Sequence, residues 1–156
     1  MREVRWLDQD EQRAWRAYLE MTLVLQDRLD RDLQREAQMP LGYYEILVRL
    51  SDAPGRTLRM SELADATRSS RSRLSHAVAR LEDYGWVERQ PCDTDRRGAW
   101  AHLTDEGYAV LEAAAPTHVT GVREYLFDAL SAADVKALKA IGEKVLAHLG
   151  HLQLRP

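Results

Sequence analysis

Between Asp8 and Ala37 the side chains Trp15, Tyr18, Thr22, Leu25, Leu29 and Leu33 recur at three- and four-residue spacing. That is the period of one face of an α-helix. Over Tyr18 to Leu25, the residues Met21, Leu23 and Val24 add a second apolar side. A helix apolar on two sides is sandwiched, and a second copy of the chain is the economical occupant of the outer side. Pro40 suits the start of a second helix, in which Tyr44, Ile46, Leu47, Val48 and Leu50 read as buried and which Ser51-Asp52-Ala53-Pro54-Gly55 ends. A short helix is expected around Ser61 to Ala66 with Leu63 and Ala64 inward, then a turn at Thr67-Arg68-Ser69. The next helix runs from about Ser70 to Tyr84. Ser69 or Ser70 caps it, and Gly85 stands where a left-handed C-terminal residue is wanted.

After Gly85 the period changes. Trp86-Val87-Glu88-Arg89 reads as a strand, Pro91 to Arg96 as a polar turn, and Gly98 to Leu103 as a returning strand. Thr104-Asp105-Glu106 opens another helix, which Pro116 is expected to kink or break after Ala113-Ala114-Ala115. Ser131-Ala132-Ala133-Asp134 is a capping-box-like start for a last helix carrying Val135, Leu138, Ile141, Val145 and Leu149. The order of elements predicts a mainly α fold with a small β-hairpin wing: a winged helix-turn-helix, residues 38–103, flanked by long helices in residues 1–37 and 104–156.

The helix from Ser70 to Tyr84 carries the chemistry. With Leu74 at the centre of one face, Ala77, Val78 and Leu81 fall on the same side at 100° per residue, while Ser72, Arg73, Ser75, His76 and Arg80 point away. Short hydroxyls let a helix approach a groove floor, and guanidinium and imidazole groups reach base edges and phosphates. Ser70 and Arg71 stand at the helix N-terminus, whose backbone donors favour a phosphate. In the hairpin, Asp93-Thr94-Asp95-Arg96-Arg97-Gly98 places two arginines at the tip. Such arginines enter a narrow minor groove, and Asp95 is expected to orient Arg97 while Arg96 stays available.

Charge qualifies this reading without reversing it. The 156-residue chain is net acidic, at −3. From Arg68 to Leu81, however, there are four arginines (Arg68, Arg71, Arg73, Arg80) and no acid. A local basic face on an acidic body is thus expected. Cys92 is the single cysteine, which excludes an internal disulfide and a thiolate metal cluster. No stretch is apolar for long enough to span a membrane, and the N-terminal residues lack a signal-peptide pattern, so a cytoplasmic protein is expected. A phosphate-binding glycine loop, a nucleophile elbow and a metal-protease histidine pair are all missing, so no enzyme activity and no cofactor are expected.

Residues 40–107 resemble the MarR family of regulators. The likeness rests on Glu62-Leu63-Ala64, on Ser70-Arg71-Ser72-Arg73-Leu74-Ser75, on Arg80-Leu81-Glu82-Asp83-Tyr84-Gly85-Trp86-Val87, on Asp95-Arg96-Arg97 and on Leu103-Thr104-Asp105-Glu106-Gly107. The resemblance implies a homodimer held by the flanking helices, with two winged domains on a double-stranded, pseudo-palindromic operator about one helical turn between half-sites. It implies a repressor released by a small aromatic or phenolic ligand. The ligand's pocket would lie between the winged domain and the dimer helices, where Trp15, Tyr18, Thr22, Tyr43, Tyr44 and His118 are the candidates. Two residues depart from the family pattern. Arg59 stands where a threonine cap is frequent, which is expected to loosen the start of the short helix, and Ser69 stands where an apolar residue is usual.

Three other readings are weighed beside it. Cys92, expected as an exposed thiol near Arg96, would serve an oxidant sensor. His118, His102, His148 and His151 would serve a metal sensor only with partners that sequence does not place. A winged helix that binds another protein would be expected to carry acids on the face of residues 70–80, which has none.

Overall fold

The computed structural model describes residues 4–92 and 98–150. The chain divides into two compact units, residues 1–119 and 120–156.

In the first unit, helix α1 spans Gln9–Ala37. Asp8 opens it through a capping box: its Oδ1 accepts from the N–H groups of Asp10 and Glu11, both at 2.8 Å, and Glu11 accepts from the Asp8 N–H at 2.9 Å. Only its C-terminal part is buried in this chain, at Leu29 and Leu33. Helix α2, Leu41–Ser51, begins after Pro40, which offers no side-chain cap. The cap comes from α1 instead: Asp30 Oδ1 accepts from the Leu41 N–H at 2.8 Å, satisfying a helix N-terminal donor across the packing interface. Leu41, Tyr44, Ile46, Leu47 and Leu50 are buried as the pattern requires, whereas Val48 is only half-buried.

Strand β1, Thr57–Arg59, leads into α3, Met60–Ala66; then come α4, Arg71–Asp83, and the strands β2, Val87–Pro91, and β3, Ala99–Leu103. The sheet is antiparallel in the order β1-β3-β2, with Thr57 opposite His102 and Val87 opposite Leu103. The hairpin of β2 and β3 was legible in the sequence; β1 was not. Leu63, Leu74, Val78, Leu81, Val87, Ala101 and Leu103 are almost fully buried. Burying each leucine contributes about 1.5–3 kcal/mol. This shared core holds α4 by its inner face.

Helix α5, Asp105–Tyr125, continues through Pro116, so of the expected kink or break the break does not occur. A proline inside a helix strands the carbonyl four residues back. Here both Glu112 and Pro116 are exposed, so water can satisfy that carbonyl, and the alanines at 113–115 are strong helix formers. In the second unit, Ser131 caps helix α6, Ala132–His148, by accepting from the Asp134 N–H at 3.2 Å, and Asp134 accepts in return. None of α6's side chains is buried, and Ile141 and Val145 are more than half exposed.

Candidate nucleic-acid interface

Helix α4 is set up by its own cap and by the turn before it. Ser70 Oγ accepts from the Arg73 N–H at 3.2 Å. The turn needs a left-handed residue, supplied by Arg68 at φ 53°, and the Ser69 N–H donates back to the Ala64 carbonyl at 3.0 Å. Ser69, which stands where the family pattern usually has an apolar residue, is half-buried and donates its hydroxyl to the Thr67 carbonyl at 3.5 Å.

With Leu74, Val78 and Leu81 inward, Ser70, Arg71, Ser72, Arg73, His76 and Arg80 are exposed and Ser75 is half-exposed. Ala77, expected on the inner face, is half-buried. Arg80 pairs with Asp83 at 3.6 Å. Among the described residues Arg71 and Arg73 have no ion pair. The face therefore offers uncompensated guanidinium groups, an imidazole and hydroxyls on one rigid element. Asp95, Arg96 and Arg97 lie outside the described residues.

The far end of α4 is fixed by the start of α5. Thr104 donates its hydroxyl to the Gly85 carbonyl at 2.7 Å and its N–H to the Trp86 carbonyl at 3.1 Å. The Gly107 N–H donates to the same hydroxyl at 3.0 Å. Gly85 takes φ +75°, a conformation glycine adopts freely. Gly107 approaches the Trp86 carbonyl so closely that a Cβ would lie 2.1 Å from its oxygen. The Leu-Thr-Asp-Glu-Gly run is thus a bracket for the end of α4.

As expected, Arg59 gives the start of α3 no side-chain cap, because a guanidinium has no acceptor; its own N–H donates to Glu62 Oε2 at 3.1 Å, which is half of a capping box. Its guanidinium lies over the Trp100 ring at 5.1 Å and sends Nη2 to within 3.5 Å of Cys92 Sγ. Cys92 is 8% exposed, which corrects the expectation of an exposed thiol. Its N–H donates to the Gly98 carbonyl at 3.3 Å, drawing it into the base of the hairpin. A cavity of about 440 Å³ opens beside it, lined by Arg59, Arg71, Ser75, Arg89 and Cys92 among others.

Two residues that sequence reading passed over bind the hairpin to α4. Glu82 accepts from the Arg89 N–H at 3.0 Å and pairs with Arg89 Nε at 3.2 Å. Arg89 Nη2 then donates to the Ser75 carbonyl at 2.6 Å. The only signal in the sequence was a pair of opposite charges flanking Gly85, which is too common to single out.

The aromatic candidates separate into two places. Tyr44 and His118 face each other with ring centroids 4.5 Å apart. Burial raises the Tyr44 pKa and lowers that of His118. Among the described residues the buried His118 Nδ1 has no hydrogen-bond partner. Trp15 and Tyr18 instead stack on each other at 5.9 Å on the exposed half of α1, where Thr22 donates to the Tyr18 carbonyl at 2.8 Å. Tyr43 is half-buried beside Tyr44 in sequence. Among the described residues no group of three or more histidine, cysteine, aspartate or glutamate side chains could hold a metal ion, and no helix is long and apolar enough to cross a membrane.

A helix-turn-helix whose second helix bears no acid from Arg71 to Leu81, followed by the β2–β3 hairpin of a three-stranded sheet, defines a winged helix-turn-helix protein. A family model described as the MarR family matches residues 37–98. The chain is 52% identical to Sco3205, a MarR family transcriptional regulator from Streptomyces coelicolor whose structure is in complex with DNA. That likeness covers 96% of this chain and 93% of that one, at a TM-score of 0.88. AbsC, a MarR family transcriptional regulator from the same organism, is 42% identical over 94% of this chain and 98% of its own, with a TM-score of 0.85. The transcriptional repressor MprA of Escherichia coli is 31% identical over 107 residues, 69% of this chain; that stretch spans 60% of the repressor's length. The chain belongs to the MarR family.

Proposed function

We propose that this protein is a homodimeric DNA-binding transcriptional regulator that reads a pseudo-palindromic operator with α4 in the major groove and the hairpin arginines, Arg96 and Arg97, in the adjacent minor groove. The observation that carries the reading is the outer face of α4. It holds Arg71 and Arg73, without an ion pair among the described residues, with exposed Ser72 and His76, on a helix whose inner face is locked in the core. The DNA-bound state of the 52% identical Sco3205 supports it. The dimer reading is supported by apolar side chains left exposed in the single chain, Leu23, Trp15 and Tyr18 on α1 and Ile141 and Val145 on α6. It assigns residues 1–37 and 104–156 to dimerisation and 38–103 to DNA. The protein acts in the cytoplasm, where its operator is.

Repression relieved by a small aromatic or phenolic ligand is the finer part of the proposal. The pair of Tyr44 and His118 supports it: an aromatic wall stands beside a buried ring nitrogen that lacks a partner among the described residues. A phenolic hydroxyl would satisfy that nitrogen. Footprinting on the DNA flanking the gene, repeated with phenols, tests both parts. A protected pseudo-palindrome that phenols release is the expected result; sequence-independent protection overturns the DNA reading, and protection unmoved by any phenol overturns the ligand reading.

A further inference from the structure

We propose that Arg89, held by Glu82, is a positioning residue for DNA reading: from strand β2 it fixes the rotation of α4 and aims the Ser75 hydroxyl proton outward, toward an acceptor in the groove. The inference rests on the reading of α4 as the DNA-contacting helix.

The geometry is a three-point clamp. Glu82, on the last turn of α4, accepts both the backbone N–H of Arg89 at 3.0 Å and its Nε at 3.2 Å. The guanidinium is thereby turned so that Nη2 reaches back to mid-helix, 2.6 Å from the Ser75 carbonyl and 3.4 Å from Ser75 Oγ. Both charged side chains are about two-thirds shielded, at 33% and 32% exposure. Charge-assisted bonds in such a setting are stronger and more directional than those at an open surface. Strand β2 is itself fixed, with Arg89 opposite Ala101 and Val87 opposite Leu103.

The interaction has a chemical consequence for Ser75. A guanidinium has donors only, so toward Arg89 the serine oxygen can act only as acceptor. The hydroxyl proton is left to point elsewhere, and among the described residues it donates to nothing. On a helix lying in a major groove, the matching acceptors are purine N7, guanine O6, thymine O4 or a phosphate oxygen. Arg89 thus sets the donor role of Ser75 while ordering α4 against the hairpin. It need not touch DNA.

Three variants separate this role from the alternatives: Arg89→Ala, Arg89→Lys and Glu82→Gln. Each is titrated against the footprinted operator duplex and a scrambled duplex of equal composition, over a salt series, with melting followed in parallel. Positioning predicts that all three lose roughly tenfold in operator affinity, the scale of one well-made base contact. Affinity for the scrambled duplex should stay within about twofold and the salt slope should be unchanged, because every phosphate keeps its cation. A direct phosphate contact by Arg89 predicts instead that Arg89→Lys retains affinity and Arg89→Ala flattens the salt slope on both duplexes; that outcome overturns the proposal. Glu82→Gln is the sharpest arm, since removing a carboxylate beside an anionic partner should tighten binding if only charge matters. Tighter or unchanged operator binding by a folded Glu82→Gln protein overturns the clamp. The near-isosteric Glu82→Gln keeps the test decisive even if Arg89→Ala melts. If the unaltered protein does not distinguish the operator from the scrambled duplex, it is the DNA reading itself that falls.

Discussion

Replacing Gly107 with alanine tests the bracket that holds the end of α4. The new Cβ would sit 2.1 Å from the Trp86 oxygen and 2.8 Å from both the Trp86 carbonyl carbon and Leu103 Cδ1. Reaching even a 3.0 Å separation from that oxygen requires roughly 0.9 Å of backbone movement, in a region as closely packed as an organic crystal. Overpacking of this kind costs about 1–3 kcal/mol. The Trp86 carbonyl also accepts the Thr104 N–H at 3.1 Å, and breaking that bond adds about 1 kcal/mol. The sum, about 2–4 kcal/mol, corresponds to a fall in melting temperature of about 5–15 °C for a chain of this size. Gly42→Ala is the matched control, because nothing lies within 4 Å of its Cβ position on α2. Alanine there should be neutral or stabilising by up to about 1 kcal/mol, since it restricts the unfolded chain. Denaturant and thermal melts of both variants decide the matter. A Gly107→Ala protein within about 0.5 kcal/mol of the parent, the range of an ordinary surface change, would refute the reasoning.

Other predictions concern the core, the histidine and the assembly. Leu81→Ala removes a fully buried side chain beneath the α4 face and should cost about 2–5 kcal/mol in denaturant melts. His118 has a lowered pKa in the fold, so the unfolded chain binds its proton first as pH falls. Its contribution is fully present above the unfolded value near 6.5 and is lost as pH drops from there toward the folded value. Melting temperature measured from pH 7 to pH 5 should therefore decline less steeply in His118→Phe than in the parent; parallel curves would remove the burial argument. Light scattering should give a dimer, and Leu23→Glu, on the exposed half of α1, should shift it toward monomer. A monomeric parent at micromolar concentration would leave the exposed apolar faces unexplained.

Much of this fold was legible because the signals that specify it are local. Asp8, Ser70 and Ser131 each precede a periodic apolar run and each caps a helix, and Gly85 falls where the chain must turn left-handed. Strand β1 escaped because Thr57-Leu58-Arg59 is too short to show a period; it is a strand only by pairing with β3. That α5 continues through Pro116 was not legible, because the cost of a helical proline depends on whether the freed carbonyl meets water, which a sequence does not display. The outer face of α4 was readable from one buried leucine and the helical period. The clamp of Glu82 and Arg89 was not, because its partners are brought together by hairpin pairing and not by spacing. For Cys92, proximity to charged residues in sequence pointed to exposure, while its pairing with Gly98 and its contact with Arg59 go with a buried side chain.

The central claim is that α4 reads DNA, and fluorescence anisotropy on the duplex flanking the gene tests it most directly. The parent and the Arg71→Ala/Arg73→Ala double variant are titrated at several salt concentrations against that duplex and a scrambled one. The parent should prefer its own duplex by at least the roughly thousandfold margin of specific DNA readers. The double variant should bind more weakly and show a shallower salt dependence, by about 0.9 for each phosphate it no longer neutralises. Equal affinity of parent and double variant, with the same salt slope, would contradict the account.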